Sequence, residues 1–429
     1  MTGHPNSLWL ATAPSPPETS PLRDRIESDV AIVGGGITGL STALHLGEAG
    51  KRCVVLEAHD IGWGASGRNG GQVNPGWRIL PSEAAARLGH ERSSGILDML
   101  NRAADLVFGL VRRYAIDCDP ERPGLIYAGI GGHGQEFLHA WAREWSAFGV
   151  ETDILDRTAV SDALGSDFYS YGLRDPRGGH VQPLSYVRGL ARAAIEQGAR
   201  IHTGSRAMTI ERAGPDWRVA TGDGHVTARH VVFCGNGYTD SLWGGLRKTV
   251  VPITSFLTAT EPLAGERLRS LLPGRHAVAE ARRILHYYRL DGGNRFVMGG
   301  RGNLMSLREP GSVAHLRRMA LAIFPQLDGV AWEYDWGGQL ALTPDQIPRL
   351  FCLDRNVHAG LGFNGRGVAM ASMFGLQLCR AVMGESPDMP VESIRTIPYH
   401  RLRQIGITWY LARSRVLDAW DLRARRRDD

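Results

Sequence analysis

Lysine is scarce in this chain, cysteine is sparse and long apolar runs are missing. Of the 49 lysine and arginine residues, only Lys51 and Lys248 are lysines, and acidic residues are interspersed throughout for a formal net charge of +5. Apart from Arg423 to Arg427 no basic tract stands out, so we expect no nucleic-acid partner. No run approaches the roughly 18 apolar residues of a membrane-spanning helix, so we expect no membrane partner either.

The five cysteines follow no pattern typical of a metal site or a disulfide framework. They stand far apart, without a CxxC pair or Cys/His spacing, as Cys53, Cys118, Cys234, Cys352 and Cys379. We therefore predict no bound metal and no disulfides. Residues 1–20 lack an apolar core and are rich in Pro, Ser and Thr, so we expect no signal peptide and a cytoplasmic location.

The most informative stretch runs from Asp29 to Gly71. It opens with a short apolar run, Val30 to Val33, typical of a buried parallel strand. The run is followed at once by a GxGxxG turn made of Gly34, Gly36 and Gly39. These glycines permit a tight turn, close approach of the backbone to a pyrophosphate, and close packing of the next helix. That helix, beginning at Ile37 and Thr38, directs free N–H groups at the phosphates.

An acidic residue ends the second strand of this unit. Arg52 to Leu56 is predicted as a strand, with Glu57 at its tip and Ala58 beside it. A carboxylate there can accept both hydroxyls of an adenosine ribose, which favours FAD or NAD over NADP. The alternative is a solvated acid at a strand end.

A second glycine-rich loop favours FAD over NAD. Residues 62–72 read GWGASGRNGGQ, a composition that no helix accommodates, whereas a nicotinamide enzyme usually continues with another strand and helix. Backbone N–H groups in such a loop can face an anion or a flat ring directly, with polar side chains as further donors. The predicted cofactor-binding residues of this loop are Ala65, Ser66, Arg68, Asn69, Gly70, Gly71 and Gln72.

The chain resembles the D-amino-acid-oxidase superfamily of FAD flavoproteins, and most closely its gamma-glutamylputrescine oxidase-like branch. The resemblance covers nearly the whole chain. It is carried by Ser7-Leu8-Trp9, the IGWGASGRNGGQ loop at 61–72, Cys234-Gly235-Asn236-Gly237-Tyr238, Tyr287-Tyr288-Arg289, Leu342-Thr343-Pro344-Asp345, Gly362-Phe363-Asn364-Gly365-Arg366-Gly367 and Ile397-Pro398-Tyr399-His400.

The resemblance implies an α/β fold of two domains, a Rossmann-like FAD-binding domain and an antiparallel-sheet substrate domain. We expect the FAD-binding domain to comprise residues 1–80, 178–245 and 340–385, and the substrate domain residues 81–177 and 246–339, followed by a C-terminal helical segment at 386–429. The residue patterns further predict one helix from Pro81 to Tyr114 and one strand from Arg200 to Glu211.

Three further segments are implied to contact FAD. Backbone near Ala207 contacts the adenine, and the turn of Cys234, Gly235 and Asn236 passes close to the dinucleotide. A second helix N-terminus lies at the pyrimidine edge of the flavin ring, with Gly362, Phe363, Gly365, Arg366, Gly367 and Val368. A reduced flavin is negative at that edge, so a helix dipole and Arg366 stabilise it. The alternative for Arg366 is a solvent-exposed arginine. Segment 336–343 contains no Cys and the 64–71 loop no His, so the attachment points of covalent relatives are empty and we expect noncovalent FAD.

Two basic residues that bind the substrate carboxylate in relatives are missing from this chain, and their absence indicates the class of substrate. Relatives that act on glycine-like or D-amino acids carry an arginine in GxRPxTPD, where this chain has Leu340. Sarcosine-oxidase-like relatives use a lysine where this chain has Ala369. Because a buried carboxylate needs such a partner, the expected substrate is an amine without a nearby α-carboxylate, similar to gamma-glutamylputrescine. The arginines that could still serve as an anchor are Arg68, Arg289 and Arg301.

The implied chemistry is oxidation of a C–N bond to an imine and then an aldehyde, with O2 reduced to H2O2. The candidate catalytic residues are Tyr287, Tyr288 and Arg366. Neighbours in a strand point to opposite faces, so at most one of the two tyrosines faces the flavin, and we prefer Tyr287. Further candidates for the substrate site are Trp9, Trp63, His286, Arg289 and Phe363. The alternatives are a dehydrogenase with another acceptor, an amino-acid oxidase with a different anchor, a flavin monooxygenase and a non-catalytic flavoprotein subunit. A monomer and a homo-oligomer both remain open.

Overall fold

The computed structural model describes residues 5–301, 313–409, 412–414 and 417 of the 429. The basic run at Arg423 to Arg427 and the side chain of Arg301 lie outside the described residues, as does most of the C-terminal segment beyond residue 409. Among the described residues no helix is long and apolar enough to cross a membrane.

The first ten strands are β1 (Arg25–Val33), β2 (Cys53–Leu56), β3 (Gln72–Val73), β4 (Leu125–Gly129), β5 (Asp153–Leu155), β6 (Tyr171–Asp175), β7 (Gly179–His180), β8 (Arg200–His202), β9 (Thr209–Ala213) and β10 (Asp216–Ala220). The later strands are β11 (His225–Phe233), β12 (Val251–Pro262), β13 (Ala277–Glu280), β14 (His286–Leu290), β15 (Arg295–Arg301), β16 (Trp332–Leu342), β17 (Arg349–Asp354), β18 (Val357–Leu361) and β19 (Val391–Glu392).

The helices are α1 (Leu8–Thr12), α2 (Ile37–Glu48), α3 (Pro81–Leu88), α4 (His90–Arg113), α5 (Gly132–Ser146), α6 (Arg157–Leu164), α7 (Pro183–Glu196), α8 (Gly265–Ser270), α9 (Ala314–Ile323) and α10 (Gly367–Met383). Residues 403–409 are also helical.

The first sheet has a parallel centre. Its strand order is β19-β17-β18-β11-β1-β2-β8, with β10 and β9 added antiparallel beside β11. Ile32 of β1 lies between Val55 and Val232 of its parallel neighbours, and it is fully buried because α2 covers this side of the sheet. A strand covered on both faces reads as a continuous apolar run, which is the pattern of the sequence here.

Four parallel strands of this sheet end at the same edge. The residues that immediately follow β1, β2, β11 and β18 are Gly34, Glu57, Cys234 and Gly362. Ligands of open α/β sheets bind at the carboxyl ends of the strands. The topology therefore brings together four segments that are far apart in the sequence.

The second sheet has the order β16-β12-β15-β14-β13-β4-β6-β5. Its pairs are antiparallel except β13 with β4, which run parallel. One face carries Tyr288, Phe296 and Met298 into a separate apolar core, and the other face turns towards the first sheet. Strand β16 continues to Leu342 and so crosses the proposed domain boundary at 339/340. The division of the chain into an FAD-binding domain and a substrate domain at the predicted boundaries is a proposal.

Three sequence-based predictions of local structure were wrong. The helix predicted from Pro81 to Tyr114 is two helices, because Gly89 has a φ of +88° and interrupts it. The strand predicted from Arg200 to Glu211 is interrupted at 203–208, the stretch that contains Ala207. The segment from 386 is extended before it becomes helical, and Val391–Glu392 pairs with β17.

Candidate active site

A cavity of about 1320 Å³ lies where the carboxyl edge of the first sheet meets the second sheet. The first sheet contributes Gly34, Glu57 and Cys234 to its lining, and the second contributes Tyr287 and Leu340. Pockets for drug-sized ligands range up to about 1000 Å³. This cavity therefore has room for a dinucleotide and a small substrate together.

The turn after β1 has the geometry that a pyrophosphate requires. Gly34 has a φ of +115°, which favours glycine, and a Cβ there would lie 3.1 Å from the carbonyl oxygen of Cys234. A Cβ at Gly36 would lie 2.7 Å from Ser66 Oγ, and one at Gly39 only 2.0 Å from Gly34 O. Ile37 and Thr38 at the start of α2 line the cavity, so the N-terminus of this helix lies where a pyrophosphate would bind.

Glu57 lies at the tip of β2, and each of its carboxylate oxygens accepts one backbone N–H. One oxygen accepts the N–H of Gly35 at 2.7 Å, and the other accepts the N–H of His59 at 2.9 Å. Burial raises the pKa of Glu57, against the lowering effect of these backbone bonds. Glu57 and Ala58 line the cavity, so Glu57 is not the solvated strand-end acid of the alternative interpretation.

The loop at 62–72 is stabilised by its own side chains. The Asn69 amide donates to the carbonyls of Ala65 and Ser66 at 3.1 and 2.8 Å, and its oxygen accepts the N–H of Gly71 at 2.7 Å. Ser66 Oγ accepts the N–H of Ile37 at 3.0 Å. The side chain of Asn69 therefore shapes the loop, which leaves the backbone as the surface that meets a ligand.

Arg68 points along the cavity wall. Its Nε donates to Trp63 O at 2.6 Å, and its guanidinium lies 4.3 Å from the centroid of the Trp63 ring. Burial lowers the pKa of Arg68. Ala65, Ser66, Asn69, Gly70 and Gln72 line the cavity as well.

Trp9 and Arg289 support the same loop from behind and do not line the cavity. Trp9 Nε1 donates to Asn69 O at 2.8 Å. Arg289, 3% exposed, donates to Gly70 O and Val181 O, both at 2.8 Å. The prediction that Trp9 and Arg289 belong to the substrate site was therefore wrong. Both residues stabilise the 62–72 loop instead. Gln72 also braces this region, since its amide donates to the carbonyls of Val278 and Tyr288.

The turn after β11 links two of the cofactor segments. Asn236, with a φ of +42°, accepts the N–H of Gly362 at 2.9 Å through its side-chain oxygen. Burial raises the pKa of Cys234 to about 12, so the thiol stays protonated and is a poor nucleophile at neutral pH. Gly235 and Ala207 line the cavity on the same side.

Helix α10 begins at the other end of the cavity. Asn364 fixes the loop before it, because its amide donates to Gly362 O at 2.6 Å and its oxygen accepts the N–H of Thr343 at 2.8 Å. Arg366 is 8% exposed, so the solvent-exposed alternative was wrong. Its Nη1 donates to Tyr127 Oη at 2.9 Å and to Pro75 O. The cavity lining here comprises Phe363, Asn364, Gly365, Arg366, Gly367 and Val368.

The two adjacent tyrosines point to opposite faces of β14. Tyr287 lines the cavity, whereas Tyr288 is 1% exposed and packs 5.3 Å from Phe324, ring centroid to ring centroid, in the core behind the sheet. Tyr288 is therefore corrected from a catalytic candidate to a core residue, because the alternation of a strand places it away from the cavity.

The two positions of the missing carboxylate anchors differ in their surroundings. Leu340 lines the cavity, so an apolar side chain stands where the arginine is missing. Ala369 is fully buried in the core of α10 and does not line the cavity. Ala369 itself therefore does not contact the cavity, and the substrate preference drawn from the missing lysine stays a prediction.

Sequence reasoning missed several residues of the cavity wall. Tyr127, Ser255 and Glu280 belong to strands of the second sheet and carry no motif. Glu280 is fully buried and accepts His286 Nδ1 at 2.8 Å and Tyr169 Oη at 3.0 Å. Burial alone raises the pKa of Glu280, but His286 and the neighbouring Arg282 lower it to about 2. His286 thus serves as the partner of this acid. Among the described residues no group of three or more His, Cys, Asp or Glu could hold a metal ion.

A family model described as FAD dependent oxidoreductase, the DAO family, matches residues 29–381. The chain belongs to this family. It is accordingly an FAD-dependent oxidoreductase, and the cavity-lining turns at Gly34 and Glu57, with the positive φ of Gly362 before α10, fit that cofactor. This result confirms the predicted superfamily and cofactor.

Two curated relatives cover almost the whole chain. Gamma-glutamylputrescine oxidoreductase of Escherichia coli K12 is 33% identical over 430 residues, which is 97% of this chain and 100% of the relative. The probable oxidoreductase OrdL of Rhizobium meliloti 1021 is 32% identical over 426 residues, 95% of this chain and 97% of the relative. The crystal structure of glycine oxidase from Geobacillus kaustophilus matches with a TM-score of 0.71 at 20% identity, covering 85% of this chain and 97% of that one. This likeness confirms the predicted two-part α/β fold.

Proposed function

We propose that this member of the DAO family oxidises the C–N bond of an amine that has no carboxylate beside the reacting carbon. The product is an imine, which water hydrolyses to an aldehyde. The observation that carries the proposal is Leu340, an apolar side chain in the cavity wall at the position where α-amino-acid relatives have an arginine. A carboxylate buried against leucine would lose its water without gaining a partner. The E. coli relative that covers 97% of this chain is named for an amine substrate, gamma-glutamylputrescine.

The residues proposed to hold FAD lie in the four segments that meet at the edge of the first sheet, in the 62–72 loop and at Ala207. Glu57 would accept the ribose hydroxyls, the N-terminus of α2 would face the pyrophosphate, and the start of α10 would face the pyrimidine edge of the ring. When bound, FAD accepts the hydride from the carbon next to the amine nitrogen. Segment 336–343 contains no cysteine, which supports noncovalent attachment.

The remaining residues of the wall have to orient the amine and exclude water. Tyr287 and Tyr127 offer hydroxyl groups, while Leu257 and Phe137 supply apolar surface. The guanidinium of Arg366 has no carboxylate partner among the described residues, and it favours negative charge in this part of the cavity.

We propose O2 as the electron acceptor, with H2O2 as product, because the chain resembles the gamma-glutamylputrescine oxidase-like branch. One observation favours a second candidate. Sarcosine-oxidase-like relatives activate O2 with a lysine, and neither Lys51 nor Lys248 lines the cavity. An amine dehydrogenase that passes electrons to another acceptor therefore stays as the alternative function.

Anaerobic mixing with amines tests the proposal. Bleaching of the flavin absorbance by gamma-glutamylputrescine or putrescine, in the absence of any nicotinamide, is the expected result. Requirement for NAD(P)H would support a monooxygenase instead, and no bleaching by any amine would support a non-catalytic subunit. Admission of O2 to the bleached enzyme then separates an oxidase, which regains colour within a turnover and releases H2O2, from a dehydrogenase, which stays reduced until another acceptor is added.

A further inference from the structure

Tyr287 and Ser255 form a hydrogen-bonded pair on the cavity wall. Tyr287 Oη lies 2.9 Å from Ser255 Oγ, and Ser255 Oγ lies 2.9 Å from the carbonyl oxygen of Gly300. Ser255 belongs to β12, Gly300 to β15 and Tyr287 to β14, which are neighbours in the second sheet. Both side chains line the cavity.

The direction of both hydrogen bonds follows from the atoms that take part. A backbone carbonyl can only accept, and a serine hydroxyl has a single proton to donate. Ser255 therefore donates its proton to Gly300 O, and the remaining contact requires Tyr287 to donate to Ser255 Oγ. Burial raises the pKa of Tyr287 to about 12, so the phenol holds its proton at neutral pH.

The ring of Tyr287 is fixed in this position by two glycines. A Cβ at Gly70 would lie 2.6 Å from Tyr287 Cε2, and a Cβ at Gly299 would lie 2.3 Å from Tyr287 Cζ. The ring thus packs directly against the backbone of the 62–72 loop on one side and of β15 on the other. Neither glycine could carry a side chain without displacing the ring. Because Gly70 belongs to the loop proposed to hold FAD, Tyr287 lies where the cofactor region meets the second sheet.

We infer that Ser255 makes Tyr287 an acceptor-only group, so that this part of the cavity selects a ligand with N–H donors and rejects a carboxylate. With its proton committed to Ser255, the hydroxyl oxygen of Tyr287 presents only lone pairs to the cavity. An amine or ammonium group can donate to these lone pairs, whereas a carboxylate oxygen would face another acceptor. Tyr287 would contact the ligand, and Ser255 is a positioning residue that acts through it.

The inference rests on the proposed amine substrate and adds the reason for the preference. With Leu340 in place of an arginine, a carboxylate has no cation to bind at that position. The Ser255–Tyr287 pair in addition places a hydrogen-bond acceptor, the hydroxyl oxygen of Tyr287, opposite the carboxylate oxygens. Discrimination between ligands commonly uses both an attractive and a repulsive element. The pair is therefore expected to act even where a carboxylate could find a cation elsewhere in the cavity.

Two ligands of equal chain length, n-butylamine and butyrate, test the polarity of this group. The dissociation constant of each is measured with the FAD-loaded enzyme under anaerobic conditions, from the change in flavin absorbance, or from the saturation of the reduction rate where butylamine is turned over. The variants are Ser255→Ala, Ser255→Thr, Tyr287→Phe and the double variant Ser255→Ala/Tyr287→Phe. Ser255→Thr keeps the hydroxyl and is the conservative control.

Ser255→Ala is expected to free the phenol proton and to shift the ratio of the two dissociation constants towards butyrate by about tenfold or more, the effect of one hydrogen bond to a charged group. Ser255→Thr is expected to keep the wild-type ratio. In the Tyr287→Phe background Ser255→Ala should not change the ratio, because the group whose polarity it sets is gone.

An unchanged ratio in Ser255→Ala would overturn the inference, and so would the same shift in the Tyr287→Phe background. If Ser255→Ala does not fold or retain FAD, Tyr287→Phe alone decides the question. It is expected to weaken binding of butylamine and leave that of butyrate unchanged or stronger, and equal weakening of both would refute the assignment. Failure of every amine to reduce the wild-type flavin would defeat the proposed function instead, while the ratio of dissociation constants would still report on the pair.

Discussion

Replacing Glu57 by Gln gives a sharp test of the adenosine end of the site. Glu57 accepts the Gly35 N–H with one oxygen and the His59 N–H with the other. Gln offers one carbonyl oxygen and one NH2 group. One of the two backbone N–H groups, that of Gly35 or that of His59, must therefore face the NH2 donor and loses its hydrogen bond. The change also removes the charge-assisted bond proposed to the ribose.

The magnitude follows from the type of bond that is lost. A hydrogen bond to a charged group contributes about 1.5–3 kcal/mol. Loss of the ribose bond alone therefore raises the dissociation constant of FAD by roughly 10-fold to 150-fold, at about 1.4 kcal/mol per factor of ten. The backbone bond is present without FAD, so its loss is expected to lower the free energy of unfolding of the apoprotein as well.

The two effects are measured separately. Titration of apoprotein with FAD, followed by quenching of the flavin fluorescence, gives the affinity, and urea unfolding of the apoprotein gives the stability. Glu211→Gln is the matched control, because Glu211 is an exposed acid on β9 of the same sheet and pairs with Arg218. Unchanged FAD affinity in Glu57→Gln would show that the carboxylate does not contact the cofactor and would refute the assignment.

Three other outcomes are expected. The purified protein should be yellow and should release FAD into the supernatant on acid precipitation, and flavin that remains with the pellet would contradict noncovalent attachment. Free glycine, sarcosine and D-alanine should reduce the flavin far more slowly than gamma-glutamylputrescine in anaerobic stopped-flow experiments, and Leu340→Arg should narrow that gap; an amino acid as fast as the best amine would point to another anchor such as Arg68. The folded-state pKa of Glu280 is depressed from 4.5 to about 2, so its stabilisation is complete above pH 4.5 and is lost as the pH falls towards 2. Glu280→Gln should therefore lower the free energy of unfolding near neutral pH and make that free energy depend less on pH in the acid range. A variant whose free energy of unfolding falls with acid as in the wild type would show that ionised Glu280 does not stabilise the fold.

The cofactor site was more accessible to sequence reasoning than the substrate site, for a physical reason. Gly34 and the 62–72 loop are constrained by backbone geometry, because a positive φ and the lack of space for a Cβ favour glycine there. Glu57 is constrained by its position at the end of β2, where its carboxylate accepts two backbone N–H groups. Such constraints leave a pattern in the sequence. Ser255 and Tyr127 act through the register of strands that are distant in sequence, and no local pattern marks them.

The same distinction explains the errors. Tyr288 and Arg289 adjoin Tyr287 in the sequence, but the alternation of β14 directs Tyr288 into the core, and the guanidinium of Arg289 reaches the carbonyl of Gly70 from behind the loop. Sequence order identifies a residue's neighbours, whereas its orientation depends on the tertiary packing.

The supports of the 62–72 loop also have a consequence for how the protein folds. Trp9 reaches the loop from 60 positions before its partner Asn69, and Arg289 from 219 positions after its partner Gly70. Contacts this distant in sequence are expected to form late, because the loop between the two partners must be closed before their contact stabilises the fold. The nucleotide-binding loop is therefore expected to mature among the last parts of the molecule, after both sheets have assembled. Nascent chains that end before β14 should accordingly fail to retain FAD in a pull-down from a translation extract, even though they contain the complete βαβ unit from Asp29 to Glu57.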